Sequence, residues 1–228
     1  SLKEEVPDFV SNLDSGVQGL RVGWSRDLGY AAVDPEVVEI ASERARRFEE
    51  LGCTVEEVDV GLENPWLSFW TVFSSSAYSA YGYLLDEHAP ELTSYARYSM
   101  EHGKHQTAAD YGRALHVVHL LQVKFRELME KYDLIMTPTM ATTAFPIHRR
   151  PEKIAGKKVD PMFGYLPFTF PINMIGQPAS SVPCGFSADG MPVGLHIIGR
   201  TGDEATVLRA SAAFEKAHPW ADKRASVS

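Results

Sequence analysis

Cysteine is scarce in this chain: Cys53 and Cys184 are its two cysteines in 228 residues. They stand far apart in apolar, strand-like contexts. That excludes a disulfide framework and predicts buried free thiols in a reducing, cytoplasmic compartment. Two isolated cysteines also offer too few ligands for a zinc site. Positive charge is in deficit, with 22 Lys and Arg against 30 Asp and Glu and a formal net charge of −8. A basic face for nucleic acid is not expected from that balance, which serves solubility instead. Long apolar runs are missing too. None approaches the roughly 18 residues of a membrane span, and no secretory leader is visible, so no membrane partner is expected. Four catalytic or phosphate-binding signatures are absent: the GxSxG elbow, the P-loop, GxGxxG and HExxH. No cofactor and no metal are implied. The first residue is Ser1 rather than Met, as expected of a start that is processed or trimmed.

What is present is an ordinary globular composition, 44% hydrophobic and 23% charged, long enough for a sizeable core. One α/β domain over residues 1–228 is expected. Leu20 to Trp24 reads as a strand. Asp34-Pro35-Glu36 reads as a helix start, with an N-cap, a proline at the first helical position and an acid in the first turn. Val37, Ile40, Ala41, Ala45 and Phe48 continue it as one stripe, and Gly52 is the expected capping glycine. Cys53 to Val60 alternates as a strand. Strand, helix and strand at this spacing over residues 20–60 make a βαβ unit with parallel strands.

Residues 62–132 read as a helical segment. Trp66, Phe69, Trp70 and Phe73 follow helical spacing, the pattern of a packed face more often than of an aromatic ligand box. A second helix is predicted from about Thr107 to Tyr132, with Ala108, Tyr111, Leu115, Val118, Leu121, Phe125 and Leu128 on one face. His116 and His119 are three apart on it, but no further ligand lies at helical spacing. Residues 133–200 read as a strand from Asp133 to Met136, a long polar loop over Ala141 to Pro161, and a hairpin. The loop carries the basic cluster HRRPEKIAGKK, whose expected state is a solvated loop. The hairpin is predicted from strands at Ser180–Phe186 and Val193–Ile198, joined at Asp189-Gly190. A last helix follows over residues 203–218 and stops at Pro219.

The nucleophile candidates are weak on local grounds. Ser180-Ser181 falls within a strand in PASSVP, with no base placed beside it by sequence. Ser74-Ser75-Ser76 falls inside a helix, where hydroxyls bond the preceding turn. Lys104-His105 and Lys157-Lys158 sit in polar surroundings that favour ordinary surface lysines over desolvated bases. His196 in GLHIIG reads as a buried, hydrogen-bonded histidine.

Three stretches carry a resemblance. NMIGQPASSVPCGFSADGMPVGLHIIGRTGDEATVL, LRVGWSRDLGYAAVDPEV and YDLIMTPT closely resemble the C-terminal part of the amidase signature family, over about Leu20 to Trp220. That family hydrolyses carboxamides, or transfers their ammonia, with a Ser–Ser–Lys triad. Its glycine/serine-rich nucleophile loop has no counterpart here, since nothing reads as GGSSGG. The resemblance therefore implies a mixed α/β sheet with flanking helices and the second half of such an enzyme. The lysine and both serines would lie upstream of Ser1, so no catalytic residue is expected in this chain. It implies an amide C–N hydrolase working through an acyl-serine intermediate, to which this part contributes scaffold and pocket wall while being inactive alone. The implied substrate-wall residues are Thr137, Tyr165, Phe168, Thr169, Phe170, Asn173 and Met174. The implied partners are a small-molecule amide and the missing N-terminal half. An uncovered apolar face or strand edge, or a homo-oligomer that hides it, is also expected. Two other readings stand beside this one: the A subunit of a tRNA-dependent amidotransferase, and a non-catalytic α/β binding module.

Overall fold

The structure is a computed structural model that describes residues 8–223. In chain order its elements are β1 (Arg21–Trp24), α1 (Pro35–Arg46), β2 (Thr54–Glu57), α2 (Trp66–Tyr81), α3 (Leu84–Glu87), α4 (Ser94–Lys104) and α5 (Ala108–Lys131). Then come β3 (Leu134–Pro138), β4 (Lys153–Ile154), β5 (Lys157–Lys158), α6 (Thr169–Ile175), β6 (Ala179–Phe186), β7 (Pro192–Ile198) and α7 (Glu204–Ala217). Contacts group the chain into two compact units, one of residues 1–63 with 125–228 and one of residues 64–124.

The first unit is built on a five-stranded mixed sheet in the order β2-β1-β3-β7-β6. β1 runs parallel to both β2 and β3, while β7 is antiparallel to β3 and to β6. The predicted βαβ unit is therefore present. α1 starts where the sequence places it: the Asp34 carboxylate accepts from the Glu36 N–H at 3.0 Å, and Pro35 opens the helix. The predicted capping glycine is present: α1 runs on into a 3-10 turn over Arg47–Glu49, and Gly52, at φ +88°, closes that run as its N–H donates to the Glu49 carbonyl and the Cys53 N–H to the Phe48 carbonyl, both at 3.0 Å.

One face of the sheet holds the main core. Trp24, Met136, Val182, Leu195 and Ile197 pack there with Val37, Ala41 and Ala45 of α1 and Val207, Ala210 and Phe214 of α7. Phe48 and Phe214 are both fully buried and stack with centroids 5.5 Å apart. Each such ring contributes about 1.5–3 kcal/mol by leaving water. Side chains alternate along a strand, so Ile135, Thr137, His196 and Ile198 fall on the opposite face, and all four are buried.

The second unit is helical, and the sequence resolves only part of it. α2 follows the aromatic stripe, while α4 lies between that stripe and the predicted second helix, where the sequence singles out no element of its own. Its start is set by Thr93, whose hydroxyl accepts from the Ala96 N–H at 3.2 Å. Trp70 stacks on Phe73 and on Tyr98 within this unit, with centroids 5.8 and 5.6 Å apart. The predicted face of α5 is displaced: Ala114, Leu121, Phe125 and Leu128 are buried, whereas Ala108 and Leu115 are exposed.

Two further differences concern residues 141–175. The polar loop contains a small antiparallel ladder that pairs Lys153 with Lys158 and Ile154 with Lys157. Thr169–Ile175 is a helix, α6, although Pro171 and the surrounding punctuation read as loop. Pro171 lies in its first turn, where the missing N–H costs no helical bond.

Candidate functional site

The end of β3 organises the candidate site. In the sheet register Thr137 lies opposite His196 of β7, and His196 lies opposite Ser181 of β6. The three share one sheet face. The Thr137 hydroxyl donates to the Pro138 carbonyl at 2.7 Å, and its oxygen is 3.4 Å from His196 Nδ1. Burial pushes the His196 pKa down to about 4, so its imidazole is neutral at physiological pH.

The two serines of the PASSVP strand face opposite ways. Ser180 Oγ is 2.7 Å from Ser211 Oγ on α7, and the Ser211 hydroxyl donates to the Val207 carbonyl at 2.8 Å. Ser181 Oγ is 2.7 Å from Thr139 Oγ1. Neither partner is a base. A Cβ on residue 194 would sit 2.7 Å from both Ser181 Oγ and Thr139 Oγ1, so the Ser181–Thr139 contact requires Gly194. The other candidate bases are on the outside: Lys104, His105, His116, His119, Lys157 and Lys158 are all exposed. Among the described residues no group of three or more His, Cys, Asp or Glu side chains is placed to hold a metal ion.

Beside this strip lies a cleft of about 370 Å³. Met140, Thr142, Thr143 and Phe145 from the loop after β3 line it together with Tyr165 and Gly194. Phe145 and Tyr165 meet edge to face, with centroids 5.0 Å apart and planes at 78°. The backbone joins the two segments, since the Ala141 N–H donates to the Tyr165 carbonyl at 3.1 Å. The half-buried Tyr30 hydroxyl donates to the Pro167 carbonyl and ties that segment to the loop after β1.

Of the seven residues that the resemblance implies as substrate wall, Tyr165 alone lines this cleft. Thr137 and Phe168 are fully buried and Phe170 nearly so. Thr169 and Met174 are half-buried and Asn173 is exposed, all three on α6. The cleft thus takes its other walls from Met140, Thr142, Thr143 and Phe145, which the sequence presents as an undistinguished polar loop. The signal that could have found them is their place directly after the TPT end of a buried strand. A larger concavity of about 770 Å³ runs along the outer side of α1, bordered by Arg46, Arg47, Glu43, Glu50 and Lys157. Within it Arg47 pairs with Glu43 at 3.4 Å and with Glu50.

Comparison with known proteins accounts for this arrangement. The family model described as Amidase matches residues 1–208. The acylamidase of Rhodococcus erythropolis is 35% identical over 228 residues, covering 98% of this chain and 48% of that protein. The A subunit of the glutamyl-tRNA(Gln) amidotransferase of Lactiplantibacillus plantarum is 32% identical over 244 residues, covering 95% of this chain and 48% of that protein. Among solved structures, a bacterial aryl acylamidase of the amidase signature enzymes superposes with a TM-score of 0.83 at 28% identity, over 97% of this chain and 48% of that one. The corresponding A subunit from Thermotoga maritima gives a TM-score of 0.69 at 29% identity, over 96% of this chain and 47% of that one. The chain spans about half the length of the curated relatives it matches. With a family model matched along nearly its whole length and a fold shared with these enzymes, the chain belongs to the amidase signature family.

Proposed function

We propose that this chain is the C-terminal part of an amide C–N hydrolase and supplies sheet scaffold and one wall of the substrate pocket. The nucleophile belongs to another part of the protein. In that reading a serine outside residues 1–228 attacks the carboxamide carbon, forms an acyl-serine and expels ammonia or an amine. Water then releases the acid. The observation that carries the reading is the bonding of Ser180 and Ser181 to hydroxyl partners on opposite faces of β6. A serine nucleophile needs a base within hydrogen-bond reach and donors for the developing oxyanion. The coverage of about half of each relative agrees with a site shared between two halves.

The amidotransferase relatives make the A subunit of such an enzyme a second reading, with companion subunits as partners. The better superposition on the aryl acylamidase, with a TM-score of 0.83 against 0.69 for the A subunit at similar identity and coverage, favours the hydrolase.

A serine-directed fluorophosphonate tests the assignment. Applied to the whole protein, it is expected to modify one serine outside residues 1–228, and Ser180→Ala and Ser181→Ala are expected to leave the labelling rate unchanged. A label on Ser180 or Ser181 contradicts the proposal.

A further inference from the structure

The loop between β3 and α6 gathers positive charge in a chain that is short of it. Residues 149–158 hold Arg149, Arg150, Lys153, Lys157 and Lys158 against Glu152, while the whole chain carries a formal net charge of −8. The fold gives that run a defined shape. β4 and β5 are joined by Ala155 and Gly156, at φ +49° and +76°, the two left-handed positions of a two-residue type I′ hairpin turn. The Val159 N–H donates to the Glu152 carbonyl at 2.9 Å and closes the ladder. Ile154 is buried and anchors one face of the hairpin. Lys153 and Lys158 stand directly opposite each other, so both side chains leave from the other face. All five cations are exposed, and among the described residues none of them is in an ion pair. The next acid, Asp160, is engaged locally: its carboxylate accepts from the Met162 and Phe163 N–H groups at 2.8 and 3.0 Å. Like charges placed opposite each other weaken a ladder. A hairpin that served only to shorten the loop would gain from a carboxylate at either position.

We infer that the β4–β5 hairpin is a docking surface for a short acidic segment of a partner protein, with Asp or Glu carboxylates on Lys153, Lys158 and the Arg149–Arg150 pair. Arginine can hold a carboxylate through two parallel bonds, and lysine meets it as a point charge. The surroundings limit the length of the partner. Lys157 stands at the border of the concavity along α1, where five carboxylates outnumber three arginines. A long polyanion such as RNA, running on from the hairpin, meets repulsion there. A segment of a few residues ends within the basic patch. The surface uses no residue of the cleft after β3 and does not depend on the hydrolase reading.

Fluorescence anisotropy of a fluorescein-labelled octaglutamate, titrated with the whole protein, tests the surface. Saturable binding is expected at low salt, weakening as sodium chloride is raised. Lys153→Glu combined with Lys158→Glu is expected to weaken it by about tenfold or more. The milder Lys153→Gln with Lys158→Gln, which keeps both positions polar and removes the repulsion between them, is expected to weaken it in the same direction. A control reverses equal charge elsewhere: Lys131→Glu with Lys223→Glu, both at exposed positions, is expected to leave the affinity within about twofold. Three results overturn the proposal. One is no saturable binding of octaglutamate. Another is an equal loss in the hairpin and control charge reversals, which is an effect of net charge alone. The third is an oligouridine of the same length binding more tightly than octaglutamate, which assigns the patch to nucleic acid.

Discussion

His196 is held between Thr137 and Ser181 on a buried face of the sheet, and burial keeps its imidazole neutral down to about pH 4 instead of 6.5. In the unfolded chain the same ring takes a proton near 6.5. Between those values the unfolded state binds the extra proton, so acidification favours unfolding and stability falls as pH drops from about 6.5 toward 4. Urea unfolding at pH 7 and pH 5 measures this. His196→Gln is expected to lose about 2 kcal/mol less than the parent over that interval, because the glutamine has no proton to gain. Equal losses in the two proteins contradict the account. The sequence supports a buried histidine in GLHIIG, since the apolar neighbours alternate around it. It does not show that Thr137 is the neighbour, because that contact depends on pairing between strands 59 residues apart in sequence. The serine pair shows the same divide. That Ser180 and Ser181 belong to a strand is readable from PASSVP, and strand alternation alone sends them to opposite faces. Their partners Ser211 and Thr139 come from other elements and are visible only in the fold.

Among the elements, those that announce themselves carry caps, stripes or turn pairs. α1 has Asp34-Pro35, α7 has Asp203 accepting from the Thr206 N–H at 3.2 Å, and the β6–β7 hairpin has Asp189-Gly190. α4 and α6 do not. α4 is polar on most of its surface, and α6 is a seven-residue helix with proline inside its first turn. α4 is specified instead by its fit to α2. At Gly103 a Cβ would lie 2.0 Å from the Ser74 carbonyl oxygen, a backbone atom that cannot turn aside. Gly103→Ala therefore forces the two helices apart. The expected cost is about 1–3 kcal/mol, the usual penalty for adding a methyl to a filled contact. Hydrogen exchange of the α2 and α4 amides reads it, with faster exchange expected in both helices. Unchanged protection would mean that the close approach of α2 and α4 is wrong. The cleft loop is the other element that the sequence hides. Met140, Thr142, Thr143 and Phe145 have no periodicity and acquire a role only because β3 delivers them beside Tyr165.

For the whole molecule, the described sheet ends at β2 on one side and β6 on the other. β2 carries Glu56 and Glu57, and β6 carries Pro183 with a register shift between Pro183 and Gly185. Charge, proline and bulge at an edge all discourage indiscriminate strand pairing. Mixed α/β architecture, parallel β1 and β2, and family membership were legible because they rest on local pattern and on three long motif-like stretches. The division of labour between this chain and the rest of its protein is a proposal about chemistry, and chemistry tests it. The direct measurement is ammonia release from benzamide by residues 1–228 alone, and by the same chain joined to the serine-bearing half. The account predicts no release above the uncatalysed rate from the chain alone and turnover from the joined protein. Turnover by residues 1–228 alone, abolished by Ser181→Ala, would contradict it.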